Sequence, residues 1–289
     1  MKIAIISSFG YHLECLGFLL ELLKEHNVTI FFKKDTYGYC RFFSEMFHIK
    51  HVIKTDIIPS NIEVNYDKVI KLSSNDPCKN TTNIISLLHA VDMKSISKYH
   101  ISLTPIISEE GVSTMFPLYT IPNTTPCYKN MITFIGLFYD KWIDTDMTNF
   151  INQSNYSFTF IVNGDKEYRK LKGFKNINVI INASVDELVN TITNSKFILS
   201  RKPAFAHYDR FSGAFALSMS FKKPIIIDKK SQGFYNMPGI EYDNLYCEIL
   251  EKLNISDNDY DTLVSRIDSF NLEHLEKNKK TMDSVIQSR

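Results

Sequence analysis

No run of about 18 apolar residues occurs in this chain, so no segment of it reads as a membrane-spanning helix. Neither sign of charge is in surplus. The 33 Lys and Arg stand against 32 Asp and Glu, for a formal net charge of +1. That balance speaks against nucleic acid or a membrane surface as the principal partner. Cysteine is sparse: Cys15, Cys40, Cys78, Cys127 and Cys247 are odd in number, widely spaced and form no Cys-x-x-Cys. This argues against a disulfide framework or a structural zinc site and fits a reducing compartment, so the expected location is cytoplasmic. Two nucleotide signatures are missing as well. The lack of a Gly-x-x-x-x-Gly-Lys-Ser/Thr loop counts against a P-loop ATPase, and the lack of Gly-x-Gly-x-x-Gly after the first strand counts against a dinucleotide dehydrogenase. Internal repeats and coiled-coil heptads are absent.

What is present is an ordinary globular composition, 44% hydrophobic and 22% charged, over 289 residues. That length suits two domains of about 100–200 residues each. Met1-Lys-Ile-Ala-Ile-Ile-Ser-Ser is a short apolar run stopped by Gly10 and His12, and reads as a first strand, not a signal peptide. An amphipathic helix over 12–25 and a strand over 28–32 follow, and this β-α-β opening predicts a parallel doubly wound sheet. A helix is expected at 39–47, with strands at 51–54, 68–72, 83–88, 99–103 and 115–119. Thr120-Ile-Pro-Asn-Thr-Thr-Pro-Cys127, with two prolines, is the linker candidate. A second alternation places strands at 131–137, 157–162, 177–181, 197–200 and 224–227. Its helices fall at 143–152, 184–193, 212–221 and 242–253, and residues 256–286 read as two polar helices.

The most informative stretch runs from Lys196 to Asp228. Phe197–Leu199 form a strand, Ser212 and Gly213 open a helix, and Pro224 begins the next apolar run. Arg201, Lys202 and Arg210 cluster in the loop before that helix. Small residues at a helix start free backbone N–H groups for an anion, and nearby arginines add charge-assisted bonds. Such a site suits a phosphate or diphosphate; the bland alternative is a solvated basic loop.

This stretch resembles the donor half of GT-B glycosyltransferases, whose pattern is an acidic residue, Gly-Phe-Gly, a small-residue helix, Gly-x-Pro and a buried strand. Asp209 stands at the acidic position and Phe211-Ser212 at Phe-Gly, while Lys222-Lys223-Pro224 matches Gly-x-Pro only at its proline. Leu217 replaces the second Glu of the retaining families, which favours an inverting course. The Arg210-Phe-Ser-Gly-Ala214 version is also similar to predicted glycosyltransferases of large DNA viruses, which would place the protein in host cytoplasm. The resemblance implies an α/β fold with two Rossmann-like parallel-sheet domains facing a cleft and a C-terminal helical tail. Residues 1–122 would form the acceptor side and 128–254 the nucleotide-sugar side, with 255–289 packing back on the first. It implies transfer of a sugar from a nucleotide-diphosphate sugar to an acceptor hydroxyl on a glycan or glycoprotein. No cofactor is required, and no metal, because the helix dipole and cations stabilise the leaving diphosphate. Two alternatives remain open: a non-catalytic GT-B-like binder of glycan or nucleotide, and a GT-B sugar-nucleotide epimerase.

The resemblance also assigns residues. His12, between the first strand and first helix, matches the His of a Gly-His pair that deprotonates the acceptor, although Tyr11 separates it from Gly10. An imidazole suits a general base at neutral pH. Glu14 would orient His12 or replace it, and His89 ends an apolar run on the same side; the plain reading of either His is a hydrogen-bonded structural residue. Glu109 and Glu110 read first as an exposed acidic loop. Donor candidates are Asn163, Gly164, Lys141, Arg201, Lys202, Asp209, Arg210, Ser212 and Gly213. The loop Asn182–Asp186 is where such enzymes contact the base, yet Ser184 with Glu187 also forms a capping box. Asp144-Thr-Asp146 looks like an Asp-x-Asp metal motif, but it falls at a predicted helix start, where acidic residues suit the dipole.

Overall fold

The computed structural model describes the chain except residues 8–13, 33–36, 56, 58, 60, 73–82, 89–98, 106–111, 123, 163–167, 201–210, 244–245 and 288–289, and except the side chains of Glu14 and Tyr37. Two compact units form. One comprises Met1–Tyr119, Asp209–Gly213 and Glu273–Arg289; the other comprises Thr120–Tyr208 and Ala214–Leu272.

The first unit is built on seven parallel strands: β1 (Lys2–Ser7), β2 (Asn27–Phe32), β3 (His51–Lys54), β4 (Lys68–Lys71), β5 (Ile84–Leu88), β6 (Tyr99–Ser102) and β7 (Val112–Thr114). Their order is β3-β2-β1-β4-β5-β6-β7. Ile3, Ala4, Ile5 and Ile6 are fully buried on both faces of β1, as a central parallel strand requires. The helix α1 (Glu14–Leu23) buries Cys15, Leu16, Phe18, Leu19, Leu20 and Leu23, and α2 (Tyr37–Met46) follows β2. The expected strand at 115–119 does not form. Met115, Phe116, Leu118 and Tyr119 are buried, but Pro117 has no N–H to give a ladder. The sheet ends one step earlier, at β7.

The second unit repeats the plan with six parallel strands: β8 (Met131–Gly136), β9 (Ser157–Val162), β10 (Ile177–Ile181), β11 (Phe197–Leu199), β12 (Ile225–Asp228) and β13 (Gly239–Tyr242). They run β10-β9-β8-β11-β12-β13. Crossovers include α3 (Thr145–Gln153), α4 (Val185–Thr193), α5 (Gly213–Ser220) and α6 (Lys229–Tyr235). An aromatic core fills one side, where Phe134 stacks on Phe160 at 5.4 Å and Phe138 meets Trp142 edge-on at 5.6 Å. The helix expected at 242–253 is replaced by β13 and a 3-10 turn at Tyr246–Ile249.

The last element, α7 (Asp257–Gln287), is a single helix of 31 residues, not two. Ser256 accepts a bond from Asp259 N at 3.2 Å at its start. Two interior polar residues work as anchors: Asn271 donates to Met219 O at 2.8 Å, and the buried Asn278 donates to Phe116 O at 2.6 Å. Among the described residues no helix is long and apolar enough to cross a membrane.

Candidate functional site

In a doubly wound sheet, ligands gather beyond the C-terminal strand ends where the strand order reverses. In the second unit that point lies between β8 and β11. β8 ends at Gly136, whose φ of 127° is a conformation that side-chain-bearing residues rarely adopt. The chain then turns through exposed Leu137 and buried Phe138 into a 3-10 turn at Asp140–Trp142. Lys141 on that turn is exposed, with its ammonium 5.1 Å over the Tyr139 ring and no carboxylate partner among the described residues. On the other side of the switch, Ser200 follows β11 and is buried. Its carbonyl accepts the Tyr246 hydroxyl at 3.5 Å. Tyr242 lies close by, and burial first, then Tyr246, pushes its phenol well above the ordinary range. Ser200 Oγ and Tyr242 OH are near enough to influence one another, yet neither meets a partner in bonding geometry among the described residues.

The helix after β11 begins where the small residues predict. Ser212 and Gly213 are half-buried at the start of α5, and the helix is apolar and buried nearly all round. Just before it, Phe211 packs edge-on against Phe116 at 5.5 Å in the first unit. At its other end, Lys222 N bonds to Met219 O at 3.0 Å and Lys223 N to Ser218 O at 2.8 Å. This is a Schellman closure with Lys222 left-handed at φ 54°. Lys222 therefore takes the backbone shape that a glycine of Gly-x-Pro would supply, and its ammonium pairs with Asp268 at 2.8 Å. Lys223 is buried, and its ammonium bonds to Thr193 O at 2.8 Å and Thr125 O at 3.3 Å. Burial holds it below the usual lysine range.

Among the donor candidates, Lys141 belongs to the second unit, whereas Ser212 and Gly213 group with the first. Asn163, Gly164, Arg201, Lys202, Asp209 and Arg210 lie outside the described residues, as do His12, His89, Glu109 and Glu110. Glu14 opens α1 in its backbone, and its side chain is outside the description. The loop Asn182–Asp186 does form the capping box: Ser184 Oγ accepts Glu187 N at 3.2 Å, and Glu187 accepts Ser184 N at 2.8 Å. The Ser184 N–H, and then the Ser184 hydroxyl 2.8 Å away, hold the Glu187 carboxyl below its usual range. The Asp-x-Asp pair serves the backbone. Asp144 caps α3 by accepting Met147 N at 2.8 Å, and Asp146 accepts Tyr246 N at 2.8 Å and Cys247 N at 3.1 Å. Among the described residues no three His, Cys, Asp or Glu side chains group to hold a metal ion.

The first unit has its own switch point, between β1 and β4. Ser7 ends β1 and Lys71 ends β4; both are 1% exposed. Lys71 lies beside Ile6 on one side and Ser86 on the other. Sequence reasoning passes over this buried cation. The signal was there, a lysine at each end of the otherwise apolar Lys68-Val-Ile-Lys71 strand, with Lys68 also buried and 5.3 Å over the Tyr99 ring.

No known protein family and no curated protein matches the chain by sequence. Its fold, in contrast, has close parallels among solved structures. HepE of Anabaena, in complex with UDP-glucose, superposes with a TM-score of 0.70 at 11% identity over 100% of both chains. AviGT4, a glycosyltransferase involved in avilamycin A biosynthesis, gives 0.60 at 9% identity over 97% of each. A UDP-GlcNAc 2-epimerase from Neisseria meningitidis bound to UDP-GlcNAc gives 0.54 at 12% identity over 100% of both. Two parallel-sheet α/β domains with a C-terminal helix are the GT-B fold.

Proposed function

We propose that the protein is a glycosyltransferase that moves a sugar from a nucleotide-diphosphate sugar to an acceptor hydroxyl, with inversion and without a metal ion. The observation that carries this reading is the likeness over the whole chain to HepE bound to UDP-glucose. Two reversed-order parallel sheets supply the scaffold on which such ligands bind. On this reading Arg210, Ser212 and Gly213, with Arg201 or Lys202, hold the donor diphosphate. Lys141, Asp209, Asn163 and Gly164 border the donor. His12 takes the acceptor proton, helped or replaced by Glu14 or His89. A viral origin and action in host cytoplasm belong to the same reading, resting on Arg210-Phe-Ser-Gly-Ala214.

A panel of nucleotide sugars offered with and without glycan acceptors tests it. Acceptor-dependent release of nucleotide diphosphate is the expected result. His12→Ala should then lower turnover by about a hundredfold or more, since a positioned general base contributes roughly 10²–10⁴ in rate. Donor binding should survive that change. Arg210→Ala should instead weaken nucleotide-diphosphate binding by about 1.5–3 kcal/mol, the range for a hydrogen bond to a charged group. The likeness to a 2-epimerase supports a second reading, and the same assay separates it. An epimerase alters the sugar nucleotide with no acceptor present. Binding with neither reaction would leave a non-catalytic binder.

A further inference from the structure

A parallel sheet that is not closed has two edges, and each edge strand leaves half of its main-chain groups unpaired. Among the described residues the two sheets have four edges, and three are blunted. β3 carries His51 and Lys54 at its ends, β7 is three residues long, and β13 places an exposed Glu241 in its middle. β10 is the exception. Its five residues, Ile-Asn-Val-Ile-Ile, carry no charge and no proline, and Ile181 is 38% exposed.

The hydrogen-bond phase of β10 is fixed by its one neighbour. Phe158 N donates to Asn176 O at 2.8 Å, and Asn182 N donates to Val162 O at 2.9 Å. The register sets Ile177 beside Phe158 and Ile181 beside Val162. Alternation therefore turns the main-chain groups of residues 176, 178, 180 and 182 toward β9. Those of Ile177, Val179 and Ile181 point away from the sheet and meet no partner among the described residues.

We infer that β10 is the seam of a two-fold homodimer, in which it pairs antiparallel with the same strand of a second copy. The outward phase is self-complementary. With Val179 on the two-fold axis, it faces the partner's Val179, and Ile177 faces the partner's Ile181. All three outward N–H and C=O pairs are then satisfied, and the two sheets run on as one. The side chains on that face are apolar, and Ile177 and Val179 already pack against the second unit's core, so the seam extends an existing hydrophobic layer. Charge fits the same orientation. Exposed Lys172 and Lys175 precede the strand, while exposed Asp186 and Glu187 follow it. Antiparallel pairing sets the basic approach of one copy beside the acidic exit of the other; parallel pairing would set like beside like. An isologous contact of this kind closes on itself and does not grow into a fibre.

Sedimentation of the full chain across micromolar concentrations tests the seam. The expected result is a reversible dimer. Val179→Pro removes an N–H that the monomer leaves unpaired, so it should spare the sheet and weaken self-association about tenfold or more. Ile181→Lys puts a charge on an exposed position and should do the same. Lys172→Glu should weaken the dimer, and adding Asp186→Lys should restore it. Amide exchange at Ile177, Val179 and Ile181 should slow as protein concentration rises. A monomer at every concentration would overturn the inference and leave β10 to an extended segment of some other protein. So would a dimer equally tight in the Ile181→Lys variant, with its thermal unfolding unchanged.

Discussion

Gly136 and Gly239 both sit in strands of the second unit, and they resist substitution for different reasons. Gly136 has open space around it, but its φ is 127°. Gly136→Ala should cost about 1–3 kcal/mol from backbone strain alone. At Gly239 the backbone is ordinary, but a Cβ would land on the Ile225 carbonyl oxygen across the β12–β13 ladder. Gly239→Ala should cost about 3 kcal/mol or more, because a strand must move. Urea unfolding measures both, and a neutral Gly239→Ala would mean that β13 is not held where it is described. His274 offers a pH test. Burial holds its imidazole below the ordinary 6.5, against the opposite pull of Glu273. The unfolded chain then binds the proton more readily, so stability falls as pH drops below 6.5 and through the folded value. His274→Phe keeps a ring against Phe116, 5.6 Å away, and should flatten that slope in thermal midpoints. Equal slopes in the two proteins would assign the effect elsewhere. Residue scale is also where the sequence misled most. Lys222 and Lys223 look like departures from Gly-x-Pro, yet one adopts the left-handed shape and the other buries its ammonium against two carbonyls. The first is closed by local bonds to Ser218 and Met219 that a lysine does not advertise, and the second depends on Thr125 and Thr193, far away in the chain.

At the scale of elements, one carboxylate ties two of them together. Asp146 on α3 accepts the N–H groups of Tyr246 and Cys247, which open the 3-10 turn after β13. Asp146→Ala should lower stability by about 1.5–3 kcal/mol, the range for bonds to a charged acceptor, and Asp146→Asn by less, since its amide keeps one acceptor. An unchanged midpoint in the alanine variant would deny the tie. Elements with a strong period were legible: β9 and β10 fall at 157–162 and 177–181 as expected, and the capping box of α4 is read from Ser184 and Glu187. Those without a period were missed. The α6 segment contains Gly233, and β13 is four residues with a glycine at its start. For α7, two polar helices were expected where one forms; the bonds from Asn271 and Asn278 that anchor it run to distant carbonyls and have no local signature.

For the molecule as a whole, a matching nucleotide diphosphate at a hundred times its Kd should stabilise the protein by about 2.7 kcal/mol. A thermal shift of about 5–10 °C corresponds to that at this chain length. No shift with any nucleotide diphosphate would remove the donor site and with it the proposed activity. The doubled strand-helix alternation made the two-sheet plan legible without any sequence relative, because parallel sheets demand crossovers at that spacing. The candidate site was less so: its loops follow the strands, where periodicity stops, and only Lys141, Ser212 and Gly213 of the donor set fall among the described residues. Neither unit is continuous in the chain. The first needs Glu273–Arg289, which buries Met282, Val285 and Ile286, and the second needs residues as late as Leu272. On a ribosome adding about 5–20 residues per second, the first sheet is synthesised many seconds before the segment that completes its unit. Nascent chains halted after residue 272 should hold the first unit open to proteolysis and to chaperones, and release of the last seventeen residues should close it.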